Sequence, residues 1–129
     1  MTSWSRFLCL VLAWTFISTL ASAALPTIHV TDALPANSES VKVECSSQRT
    51  STHLGQHTLK AGDVYQFTAV ENDLHFCKAE WGSSFASWHA LEPSRDGNHQ
   101  DVYWKVKNDG FYLSWDNSHW SRKEVWETD

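Results

Sequence analysis

The chain is short of the residues on which reactive or rod-like proteins depend. Its 129 residues include three cysteines, three prolines, five glycines and one methionine. No low-complexity segment or internal repeat is present, which excludes solenoids and tandem arrays. No phosphate-cradling glycine loop, nucleophile elbow or zinc-protease helix motif occurs. No close Cys-x-x-Cys pair offers a zinc site. N-glycosylation acceptors are absent, because Asn37-Ser38-Glu39 and Asn117-Ser118-His119 both fail at the third position. Acidic residues are plentiful, but no spacing singles out an acid/base pair. These absences predict a non-enzymatic protein with no catalytic residues, no metal and no cofactor.

Positive charge is also scarce. The formal net charge is −5. Basic residues form no continuous stripe with interleaved aromatics, so nucleic acid is excluded as a partner, and anionic membranes are disfavoured.

One long apolar run exists, at the N-terminus. Arg6 forms a short basic region, residues 7–17 are apolar except for Thr15, and Ala21-Ser22-Ala23 is a small-x-small cleavage signal. The run is shorter than the ~20 apolar residues a membrane span needs. Residues 1–23 are therefore expected to be a secretory signal peptide, cut between Ala23 and Ala24. Residues 24–129 then form one secreted, extracellular, monomeric domain of net charge −6, with no membrane insertion. Cys9 leaves with the signal. Cys45 and Cys77 remain as an even pair in an oxidising compartment and are expected to form one disulfide. In the chain-entropy model it stabilises the fold by about 3–4 kcal/mol.

What is abundant is alternation. Residues 104–115, Trp-Lys-Val-Lys-Asn-Asp-Gly-Phe-Tyr-Leu-Ser-Trp, form the clearest hairpin. A two-residue Asp109-Gly110 turn would pair Val106 with Leu113 and Trp104 with Trp115 on an inner face, leaving Lys105, Lys107, Tyr112 and Ser114 outside. Val41, Val43 and Cys45 alternate with Lys42 and Glu44. Tyr65, Phe67 and Ala69 share a face, as do Cys77, Ala79 and Trp81. Phe76 points the other way and implies double cover or a bulge. With turn signals between them, these segments predict an all-β domain: a two-sheet antiparallel β-sandwich of about eight short strands.

Seven histidines and six tryptophans after the signal remain to be placed. His53 and His57 are spaced i, i+4, but in loop and strand rather than helix, so the spacing brings no convergence. The other histidines are scattered. Trp81, Trp104 and Trp115 fall on expected inner faces, whereas Trp88, Trp120 and Trp126 are less constrained. Exposed Trp would suit a sugar or a protein contact. A secreted carbohydrate-binding module is thus the alternative function.

Along the chain, Leu54-Gly55-x-His57-x-Leu59-x-x-Gly62-x-x-Tyr65-x-Phe67, then Asn72, Cys77-x-x-x-Trp81, Phe85 and Trp104-x-Val106-x-x-Asp109-Gly110-x-Tyr112 resemble the plant self-incompatibility protein family, the S-protein homologues. His29-Val30-Thr31-Asp32-Ala33-Leu34 resembles its opening strand, with Asp32 where Asn is usual. The resemblance implies a small secreted β-sandwich. Founding members are pistil-secreted ligands that inhibit growth of self pollen by engaging a pollen-surface protein. A non-enzymatic extracellular ligand in cell–cell signalling, with a cell-surface protein receptor as partner, is therefore the expected function. Where members commonly carry a second Cys-x-x-Cys pair, this chain has His99 and Val102. Where many have an acidic cluster before Leu-Gly, it has Arg49-Thr50-Ser51-Thr52-His53. Residues 93–101 are polar and lack that second staple. Recognition tends to sit on loops, so Arg95, Asp96, Asn98 and His99 are the expected partner-binding residues.

Overall fold

The computed structural model describes residues 24–128. The expected leader, residues 1–23, lies outside the described residues, and Ala24 on the far side of the expected cleavage point is the first described residue.

Alternating apolar and polar residues cannot hide their apolar side in a single sheet, so the strands are layered in two. In chain order they are β1 (Thr27–Asp32), β2 (Val41–Ser47), β3 (His53–Leu59), β4 (Val64–Thr68), β5 (His75–Trp81), β6 (Ser84–Leu91), a one-turn helix α1 (Pro93–Asp96), β7 (Asp101–Lys107), β8 (Gly110–Ser114), β9 (Ser121–Glu124) and β10 (Glu127–Thr128). One sheet has the order β4-β1-β7-β8-β9 and the other β10-β6-β5-β2-β3. The result is a ten-stranded β-sandwich. The two strands added to the expected eight are the polar edge strand β9, Ser-Arg-Lys-Glu, and the two-residue β10. Edge strands that face solvent on both sides carry no alternation to read.

The sandwich is antiparallel except for one pair. β1 runs parallel to β7, with Ile28 opposite Val102 and Val30 opposite Trp104. The chain visits the second sheet before β7 returns beside β1, and so long a connection can deliver a strand in either direction.

The inner faces meet around an aromatic seam. Trp88 packs on Phe111 with ring centroids 4.4 Å apart and edge-on to Trp104 at 6.0 Å. Phe111 in turn meets Trp126 at 4.7 Å. The indole N–H of Trp104 donates to the Ala90 carbonyl, 2.9 Å, and that of Trp126 to the Lys107 carbonyl, 2.7 Å. The first bond ties β7 of one sheet to β6 of the other and satisfies a buried donor, and the second fastens the segment between β9 and β10 to the end of β7. Trp88, expected to be unconstrained, is thus core, and Trp81 is only half-buried at the edge of the seam.

Cys45 and Cys77 are directly paired residues of the neighbouring strands β2 and β5, and their sulfurs are bonded. The bridge lies fully inside the core and staples one sheet rather than joining the two. The β5–β6 register shifts between His75 and Phe76 because Ala90 is an extra residue in β6, which leaves Ala90 and Leu91 both buried. Phe76 alternates in the ordinary way with the buried His75 and Cys77 and is half-covered on the outer face.

The β7–β8 hairpin differs from its expected register by one pair. Val106 faces Phe111 and Trp104 faces Leu113, so the turn residues are Asn108 and Asp109. Neither takes positive φ; Gly110, the first residue of β8, does, at φ 143°. A Cβ at Gly110 would lie 2.3 Å from the Glu124 carbonyl oxygen of β9. Glycine is required here for close approach of the neighbouring strand as well as for its φ. Moving the turn back by one residue shifts each partner by two, which preserves the face of every side chain. Two side chains still depart from expectation. Trp115 leaves the end of β8 and is 39% exposed, and Ser114 is buried.

Candidate functional site: the α1 connector and the Trp115–Trp120 groove

The connector from β6 to β7 is polar in sequence but not loose. Pro93 starts α1 with its φ preset, and the helix stops after one turn. Asp96 then turns inward and is fully buried. A buried carboxylate needs donors on both oxygens, and this one has four. Arg95 Nε and the Trp115 indole N–H donate to Oδ1, at 2.8 and 2.9 Å. Arg95 Nη2 and the Glu92 backbone N–H donate to Oδ2, at 2.8 and 2.9 Å. Arg95 also donates to the His89 carbonyl, 2.9 Å, and lies over the Trp104 ring with its guanidinium carbon 5.3 Å from the ring centroid. Arg95 and Asp96, expected among the partner-binding residues, are thus engaged with each other and with their neighbours. Asp96 has nitrogen donors on both oxygens, whereas Arg95 uses Nε and Nη2 and keeps its Nη1 N–H groups without a hydrogen bond among the described residues. Asn98 and His99, further along, are exposed.

The same hub aims Trp115. With its N–H committed to Asp96, the indole projects from the end of the sandwich, and His99 stacks flat upon it, centroids 4.5 Å apart and planes 8° from parallel. Residues 116–119 complete the rim. Asp116 accepts from the backbone N–H groups of His119 and Ser118, 2.8 and 2.9 Å, from Ser114 Oγ, 2.9 Å, and from His119 Nδ1, 2.6 Å. These donors, the His119 amide foremost, hold its carboxyl well below the usual carboxylate range. His99, Trp115, Asp116, His119 and Trp120 line an open groove of about 380 Å³.

Ser118, His119 and Asp116 superficially resemble a catalytic triad. Both Ser118 Oγ and Asp116 Oδ2 approach the same nitrogen, His119 Nδ1, at 3.1 and 2.6 Å. A triad needs the serine and the carboxylate on opposite ring nitrogens, so no proton relay is possible. The other histidines have local partners. His75 is buried, its Nδ1–H donating to the Asp73 carbonyl, 2.9 Å, while Nε2 accepts the Val70 N–H, 3.2 Å. His29 and His57 stack on Tyr103 and Tyr65. Among the described residues, no three His, Cys, Asp or Glu side chains converge as a metal site. No described helix is long and apolar enough to cross a membrane.

Trp115, Asp116, His119 and Trp120 were not singled out by sequence reasoning as a site. The Asp-x-x-His spacing and the chain of small polar residues between two tryptophans were the only signal. That spacing reads equally well as an ordinary turn.

The architecture defines a class: a disulfide-stapled β-sandwich with an open, aromatic-lined groove beside the end of β8. The family model described as plant self-incompatibility protein S1 matches residues 27–126, from the first strand to the last tryptophan, and the chain belongs to that family. Its members are characteristically secreted, extracellular recognition proteins and not enzymes, and this protein is extracellular and non-enzymatic with them. No curated protein and no solved structure matches the chain.

Proposed function

We propose that the protein is a secreted ligand in plant cell–cell signalling, released as a single domain by cleavage between Ala23 and Ala24, and read by a cell-surface protein receptor at the rim formed by His99, Trp115 and His119, with the exposed Asn98 next to His99 in the chain. Family membership across residues 27–126 carries this reading. The rim supports it locally. An exposed indole oriented by a buried carboxylate is rigid before binding, which lowers the entropic cost of making a contact, and aromatic side chains dominate protein recognition. Arg95 and Asp96 contribute as the support that positions Trp115. Tagged mature protein should label one cell type and crosslink there to a surface protein. Replacing Asn98, His99 and His119 with Ala should weaken that labelling with folding retained. Labelling equal to the parent would remove the rim from consideration. Binding of the parent to neutral sugars on a glycan array, lost in Trp115→Ala, would favour the carbohydrate-binding alternative.

A further inference from the structure

The outer face of the β1-containing sheet carries a feature that strand pairing assembles and the linear chain does not display. Lys105 of β7, Tyr112 of β8 and Arg122 of β9 are consecutive cross-strand partners. They share the face opposite the buried Val106, Phe111 and Leu113. Lys107 sits one pleat further along. The ammonium of Lys105 lies 4.4 Å from the Trp120 ring centroid, and that of Lys107 lies 4.9 Å from the Tyr112 ring centroid. Among the described residues, neither lysine has a carboxylate within ion-pair distance, and Arg122 only grazes Asp109 at 4.0 Å. An aromatic ring holds an ammonium through its quadrupole and leaves the charge uncompensated. A chain with net negative charge thus keeps Lys105 and Lys107 uncompensated on one ring-studded strip, beside Arg122 and the Asp109 carboxylate that accepts the Tyr112 hydroxyl. Trp120 joins the strip to the groove, because it also lines that groove.

We propose that this strip binds a carboxylated polysaccharide, a polyuronate, holding the secreted protein to an acidic extracellular matrix. The proposal does not rest on the receptor reading of the groove. Opposite charge selects a polyanion. At physiological ionic strength the screening length is about 8 Å, so the strip acts on a ligand in contact with it while the acidic remainder of the molecule is largely screened. The pairing of one cation with one ring selects among polyanions. A uronate unit offers one carboxylate and one apolar ring face, matching Lys105 beside Trp120 and Lys107 beside Tyr112. Nucleic acid fits less well, since duplex DNA carries a charge about every 1.7 Å and three cations neutralise little of it. An acidic protein segment fits less well too, because the face offers no closed pocket for the buried anchors that protein contacts need.

The test measures binding of the mature protein to de-esterified polygalacturonate and to the same polymer methyl-esterified. The expected result is salt-sensitive binding to the acid form, strongly reduced by esterification. In the double variant Lys105→Gln, Lys107→Gln it should weaken by roughly tenfold and lose much of its salt dependence, because each cation removed no longer releases a counterion on binding. Both lysines lie on the solvent face, so the variant should keep the parent's melting temperature. Trp120→Ala should also weaken binding, whereas Asn98→Ala, His99→Ala should not. Equal binding of the two polymers, equal binding by parent and Lys variant, or tighter binding to poly-glutamate or to an oligonucleotide of matched charge would overturn the proposal.

Discussion

The two ends of β7 are held in opposite ways. At its start, residues 92–100 are fastened by side chains, with one buried carboxylate collecting two guanidinium bonds, an indole N–H and a backbone amide. At its end, residues 107–110 are held by backbone shape, with Gly110 at positive φ pressed against the Glu124 carbonyl, and by single bonds from the Trp126 indole to the Lys107 carbonyl and from the Tyr112 hydroxyl to Asp109. Each end has one buried residue, Asp96 at the start and Gly110 at the end, among half-buried and exposed neighbours. Polarity of sequence therefore does not measure exposure. A polar segment can go inside when its acid finds enough donors, and a tight turn can depend on the residue just after it rather than on those within it.

The contrast is broken most severely at the hub. Asp96→Ala should cost about 3–5 kcal/mol, because breaking a buried pair leaves charges and donors unmatched. It should also free the Trp115 indole, seen as a shift and broadening of its fluorescence. A loss below about 1 kcal/mol in denaturant titration would mean that the connector is not held by this carboxylate. Next in size, Gly110→Val should cost about 2–3 kcal/mol, combining positive-φ strain with overpacking against β9. Unchanged thermal stability would relocate the constraint away from Gly110.

A second buried aspartate sharpens the comparison, since it has no such retinue. Asp32 is 1% exposed. Its Oδ1 accepts the Leu34 N–H, 3.0 Å, and its Oδ2 has no partner among the described residues. Burial pushes its carboxyl above the ordinary value, and Asp63 adds to the rise. The folded state then binds this proton more tightly than the unfolded state. The stability it confers is fully present below the unfolded value of about 3.9 and is lost as pH rises through the higher folded value. Asp32→Asn should accordingly stabilise the protein at pH 7 by about 1 kcal/mol, the order of an unsatisfied buried group. That gain over the parent should vanish near pH 3. A gain independent of pH would show that packing, not charge burial, is responsible. The smallest effect belongs to the exposed neighbours of the hub. Asn98→Ala, His99→Ala should move stability by less than about 0.5 kcal/mol, as exposed changes usually do. A larger loss would mean that the His99 ring on Trp115 helps hold the connector.

Much of this organisation was legible in the order of residues. Alternation placed Val41, Val43, Cys45, Cys77, Ala79, Trp104, Val106 and Leu113 on inner faces, where all are buried. The hairpin was legible to within one residue of its turn. The candidate site was legible only in part. His99 lies at the rim and Asn98 is exposed beside it in the chain, but Asp96 is buried with Arg95 folded around it, and Trp115 stands out where a core residue was expected. Nothing near Asp96 in the sequence marks Trp115 as its donor, because the two are 19 residues apart.

By itself the sequence determined which side of each main strand is apolar, which two cysteines could pair, and to which family the chain belongs. These are properties of composition, spacing and the two-residue strand period, and they survive a shift of register by two. Only the tertiary structure decided the register of the hairpin, the parallel seating of β1 beside β7, the burial of Asp96, and the gathering of Lys105, Tyr112 and Arg122 into one strip. Each of these depends on which distant segment lies alongside, and hence on hydrogen-bond donors, carbonyls and rings supplied from elsewhere in the chain.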